Sequence, residues 1–130
     1  MYKTIVIGNL TADPVVNHRE WADKNTGEII RANVCNFSVG ANEGYGENRK
    51  TQYFKMTAWR GLADICENKL AKGTKVYIEG LPSVNIYTNK SKEVHANLEI
   101  RVDRLEILQG SKRIVATEDN VEELDDEMPY

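Results

Sequence analysis

The run Gln52-Tyr53-Phe54-Lys55-Met56-Thr57-Ala58-Trp59 carries two chemistries on its two sides. In an extended chain successive side chains point to opposite faces, so Phe54, Met56 and Ala58 make one apolar stripe. The other side then holds Tyr53, Lys55, Thr57 and Trp59, two flat rings with a cation between them. Aromatic rings stack on unpaired nucleobases whatever the base, at about 1–3 kcal/mol per stack. A lysine beside them neutralises backbone phosphate and releases counterions. Duplex DNA hides its base faces, so such a surface selects single strands. The same two rings would also serve to cover a helix or a subunit interface, and the run by itself leaves both readings open. More residues of these types follow: Arg60 directly after Trp59, Tyr45 ahead of Arg49 and Lys50, and Tyr87 ahead of Lys90 and Lys92. Rings interleaved with cations on flexible hairpins suit a groove that wraps a strand.

Other chemistries lack their residues. His18, His95, Cys35 and Cys66 show no zinc-type spacing, and the alternation puts Cys35 on a core stripe. No Gly-x-x-x-x-Gly-Lys loop for phosphates and no nucleophile-elbow serine occurs. The expectation is a protein that is not an enzyme and that needs no metal or cofactor. Two cysteines are too few for a disulfide framework in 130 residues and read as reduced thiols of a cytosolic protein. No apolar run reaches the roughly 20 residues of a membrane helix.

The elements that must position these side chains are mostly strands. Thr4 to Ile7 is a first apolar run, ended by Gly8-Asn9 and a turn at Asp13-Pro14. Residues 17–28 are polar and predict a surface loop or hairpin tip. From Val34 the chain alternates, with Cys35, Phe37 and Val39 inward; 41–50 is rich in Gly and Asn and predicts a loop. Leu62, Ile65, Cys66 and Leu70 recur at helical spacing up to Gly73. Val76 and Ile78 resume the strand period, and 83–94 predicts a hairpin with its tip at Asn89-Lys90-Ser91-Lys92. A last strand runs through Leu98, Ile100, Val102, Leu105 and Ile107. Three strands, a short helix and two strands is the order of a five-stranded Greek-key barrel of the OB type, an all-β fold with long hairpin loops.

Charge divides the chain. Residues 118–130 hold seven of its 20 acids and none of its 17 Lys and Arg, leaving 1–117 at about +4. A basic body is compatible with a polyanion partner despite the acidic total. The acidic end has too little apolar surface to fold and predicts a disordered tail. The expected organisation is a folded domain over 1–110 and a short linker with an acidic tail over 111–130.

Several stretches, in order, resemble the bacterial-type single-stranded-DNA-binding protein family. They are Ile5-Val6-Ile7-Gly8-Asn9-Leu10 with Asp13-Pro14, Val34 to Val39, Trp59-Arg60-Gly61-Leu62-Ala63-Asp64, Leu70-Ala71-Lys72-Gly73, and Val76-Tyr77-Ile78-Glu79-Gly80. The resemblance implies an OB fold assembled as a homotetramer, working in the cytoplasm at the nucleoid, with Tyr53, Trp59, Tyr87 and Tyr45 as stacking rings. It also covers Asp125-Asp126-Glu127-Met128-Pro129-Tyr130, which matches the family's acidic tip and so implies docking of replication, recombination and repair proteins. Three features depart from the family pattern. Tyrosine stands at 45, 53 and 87 where tryptophan is commoner, the chain ends in Tyr130 rather than Phe, and the linker is short. They fit a phage, plasmid or accessory member. A primosome-like adaptor acting through protein contacts is the alternative, and an RNA- or oligosaccharide-reading OB domain a third.

Overall fold

The computed structural model describes residues 1–109, 112–117 and 120–125. Among these lie eight strands and one α-helix: β1 (Thr4–Leu10), β2 (Val15–Ala22), β3 (Ile29–Glu43), β4 (Lys50–Trp59), α1 (Gly61–Lys69), β5 (Lys75–Thr88), β6 (Val94–Gln109), β7 (Lys112–Thr117) and β8 (Val121–Asp125). β1 pairs antiparallel with β3 and β5, β3 with β4, and β5 with β6. β4 pairs with β6 in parallel through Lys55 to Thr57, which returns the circuit to its start. The five strands β1, β3, β4, β5 and β6 thus make the closed arrangement that the sequence predicts, with α1 between its third and fourth members.

The inward stripes meet as expected. Cys35, Phe37 and Val39 of β3 pack with Met56 and Ala58 of β4, Val76 and Ile78 of β5, and Ile100, Leu105 and Ile107 of β6. Leu62, Ala63 and Cys66 press α1 against this core. Both cysteines are free and fully buried. Contact with Cys35 and loss of water push the Cys66 thiol far above its ordinary range, so it stays protonated. Closure of the circuit needs a close backbone approach at Gly80, where the β5–β6 register slips. A Cβ there would lie 2.2 Å from the Arg101 carbonyl oxygen, a distance no side chain tolerates.

The structure corrects the sequence reading in four places. Half of the segment 17–28 is strand: β2 pairs with β3 from Val15↔Asn36 to Ala22↔Ile29, so the expected hairpin tip is confined to 23–28. There the Asp23 carboxylate accepts from the Asn25 N–H (2.7 Å), and Gly27 takes φ +71°. The loop over 41–50 shrinks likewise, because β3 runs on to Glu43 and β4 begins at Lys50. The helix stops at Lys69: Leu70 is extended, and the Lys72 N–H donates to the Asp13 carboxylate at 2.8 Å. Finally, the sheet does not end at 110. β7 pairs with β6 from Arg104↔Thr117 to Gln109↔Lys112, and β8 with β7, so the expected linker is strand. Its physical reason is burial, since Ile114 and Ala116 join the core. The disordered tail expected beyond it falls on β8 as far as Asp125, and 126–130 lie outside the described residues.

Candidate nucleic-acid interface

β4 presents its two faces as its alternation demands. Met56 and Ala58 are buried and Phe54 packs half-buried on the core, while Tyr53 and Lys55 are exposed on the opposite side. Thr57 and Trp59 continue that side half-buried. Tyr53 is 68% exposed, too open for a ring whose role within this chain is to cover the core. It stands over Gly40 of β3, its register partner; a Cβ there would meet Cε1 of the ring at 3.5 Å. Tyr53 and Trp59 are six residues apart, roughly 20 Å along the strand, a span of several nucleotides. Between them lies a groove lined by Thr11, Asn36, Ser38, Lys55, Thr57 and Glu99. Thr57 Oγ1 donates to Asn36 Oδ1 (3.3 Å) across its floor. Glu99 is in register with Lys55, so the groove carries a carboxylate beside its cation.

The two hairpins flank this face. The β3–β4 hairpin extends the ladder beyond Tyr53 to Glu43↔Lys50, and its tip carries Tyr45, 93% exposed, with Arg49 and Lys50. A single 3-10 turn, Gly46–Asn48, shapes that tip between Gly44 and Arg49. The β5–β6 hairpin holds Tyr87, Lys90 and Lys92. The Asn89 carboxamide organises its tip, accepting from the N–H groups of Ser91 (2.9 Å) and Glu93 (3.0 Å). Tyr87 is in register with His95, and their rings stack with centroids 5.4 Å apart. Asn89 Nδ2 meets His95 Nε2 at 2.9 Å, so the imidazole is locked between ring and tip. The pairing of Tyr87 with His95 is invisible in sequence until the hairpin register is known.

Of the residues singled out from sequence, Tyr53, Lys55 and Trp59 therefore share one face, with Arg60 at its end. Tyr45, Arg49 and Lys50 occupy one hairpin tip, and Tyr87, Lys90 and Lys92 the other. Two residues escape sequence reasoning. Trp21, on β2, meets Trp59 edge to face, with centroids 6.2 Å apart and planes at 85°. Arg101 reaches the same place from β6. β2 is exposed on both sides and so shows no alternation by which Trp21 would stand out. Met128, Pro129 and Tyr130, with Asp126 and Glu127, lie outside the described residues, and Asp125 ends β8. Among the described residues no three His, Cys, Asp or Glu side chains gather to hold a metal ion, and no helix is long and apolar enough to cross a membrane.

The sequence places these features in a wider set. The chain is 32% identical over 111 residues, 82% of its length, to the single-stranded DNA-binding protein of Caldanaerobacter subterraneus. It is 36% identical over 83 residues to single-stranded DNA-binding protein 1 of Chlorobaculum tepidum, and 31% identical over 113 to the single-stranded DNA-binding protein of Neisseria meningitidis. These matches span 67%, 46% and 60% of the relatives' own lengths, so the chain corresponds to about half to two thirds of each. Residues 1–108, the closed circuit with both hairpins, match the single-strand binding protein family, and the chain belongs to that family.

Proposed function

We propose that this protein binds single-stranded DNA with little regard to sequence, holding bases on Tyr53 and Trp59 and phosphates on Lys55 and the hairpin cations. The observation that carries this is the outward face of β4: an exposed ring, a cation and a second ring on a rigid central strand. Stacking needs a free ring face, and among the described residues Tyr53 stays largely open. Tyr45 with Arg49 and Lys50, and Tyr87 with Lys90 and Lys92, close on the strand from the two hairpins. Relatives named for single-stranded DNA binding support the same ligand.

The finer parts of the reading concern partners. Two separate apolar surfaces support a homotetramer: Ile5 and Ile7 on β1, both about half exposed, and Val84, Ile86 and Val94 along one face of the β5–β6 hairpin. Two distinct self-complementary patches are what a dimer of dimers requires. The end of the chain, Asp125 to Tyr130, docks replication, recombination and repair proteins through its acids and its two apolar side chains. The protein then acts in the cytoplasm, on DNA unpaired during those processes.

The test is competition. A labelled oligo-dT bound to the full chain is challenged with unlabelled single-stranded DNA, RNA of the same sequence, and duplex DNA of equal length. Displacement by the DNA single strand at much lower concentration than by the duplex is expected. Equal displacement by duplex contradicts the stacking surface, RNA preference changes the substrate, and no binding at all leaves the adaptor reading.

A further inference from the structure

We propose that Trp21 and Trp59, with Arg60 and Arg101, form a separate subsite for one unpaired nucleotide, at the end of the β4 face nearest α1. The proposal rests on the single-strand reading above and extends the strand's path from β4 onto β2. These four side chains line a cleft of their own, about 240 Å³ in volume. Pockets for drug-sized ligands run from about 300 to 1,000 Å³, so this one is on the scale of a single base. The two indoles stand at 85°, which makes a corner rather than a flat wall. A base stacked on one indole has its edge against the other, an arrangement aromatic rings favour. The two arginines bring planar cations to the rim, where the phosphate of that nucleotide would lie.

The backbone at Arg60 supports a role beyond packing. Its φ of +56° and ψ of −121° belong to glycine's range, and an arginine held there is strained. The turn is pinned on both sides: the Arg60 N–H donates to the Asn33 carbonyl (2.9 Å), and its carbonyl accepts from the Asp64 N–H (3.1 Å). Trp21 is likewise positioned by an ordered strand. β2 is tied inward by His18, which meets Asn33, whose Nδ2 donates to Asp64 at 3.1 Å. Trp21 keeps 39% of its surface open, so the pair of indoles is not sealed by its own contact.

The chain has two tryptophans, so Trp59→Phe leaves Trp21 as the sole indole. Oligo-dT is expected to quench that remaining emission as it binds. In the full chain Trp21→Ala is expected to weaken oligo-dT binding about tenfold with an unchanged melting temperature. Arg60→Gly relieves the strained turn, so its melting temperature should equal or exceed that of the parent while its affinity falls severalfold. Parental affinity in Trp21→Ala overturns the subsite, as does bound oligo-dT that leaves the Trp21 emission of Trp59→Phe unmoved. A Tyr53→Ala control separates the two claims. Loss with Tyr53→Ala but not with Trp21→Ala removes the subsite and keeps the platform, whereas no effect of either removes both.

Discussion

Tyr53 and Trp59 differ in how each is held, and that sets what their removal should do. Tyr53 is open and rests on Gly40, while Trp59 is half-buried against Trp21. Tyr53→Ala should cost affinity for oligo-dT alone, by about 5- to 150-fold, the range of one stack. Trp59→Ala should cost at least as much and lower the melting temperature as well, because Trp59 is half-buried on β4, a strand paired on both sides, whereas Trp21 is exposed on the outer strand β2. Lys55→Ala should weaken binding by less and flatten the dependence on salt by about one phosphate contact. Titrations at several salt concentrations, each paired with a thermal melt, check all three. The residues of this face were legible in sequence because ring, cation and ring fell on one parity of a strand whose other parity was apolar. Trp21 was not legible, since every residue of β2 except Val16 is exposed and parity carries no message there. His95 needed the hairpin register, which places it against Tyr87.

At the scale of elements, strands with a buried stripe declared themselves and those without one did not. β4, the middle of β3 and the core of β6 alternate, so their existence and facing followed from the order of their residues. β7 is only six residues, with Lys112 and Arg113 opening it. Its short apolar run, Ile114-Val115-Ala116, becomes core only by pairing with β6. Ile114→Ala should therefore destabilise the fold by about 2–4 kcal/mol, as for a buried aliphatic. A denaturant melt matching the parent would return 112–117 to the role of a linker. β1 is fastened to β5 by charge: Lys3 Nζ lies 2.8 Å from Glu79, which Arg104 also approaches at 3.7 Å. The hydrogen bond from Lys3 holds the Glu79 carboxyl below its ordinary 4.5 and raises Lys3 above 10.5. A depressed carboxylate stabilises the fold above its unfolded value and loses that contribution as pH falls through the folded one. The raised amine contributes below its unfolded value and loses this as pH rises through the folded one. Glu79→Gln should thus melt lower than the parent near neutral pH, with the gap closing below about pH 4. A gap that persisted unchanged in acid would assign the effect to packing.

Over the whole molecule, opposite charges are segregated along one chain. A body near +4 attracts a polyanion, and seven acids beyond residue 117 repel it or compete for the same cations. Removing 125–130 takes away three acidic side chains, Asp125, Asp126 and Glu127, and should tighten oligo-dT binding at low salt while abolishing capture of tip-dependent partners. Equal affinity at every salt concentration would show that the end of the chain does not compete with DNA. The central claim, that exposed rings and cations on β4 hold an unpaired strand, is tested most directly by tryptophan fluorescence. Oligo-dT is added to the full chain at low and at high salt, beside a duplex of equal length. Saturable quenching by the single strand alone, shifted to higher concentration by salt, is the predicted result; quenching by the duplex as well, or binding with no change in emission, contradicts it.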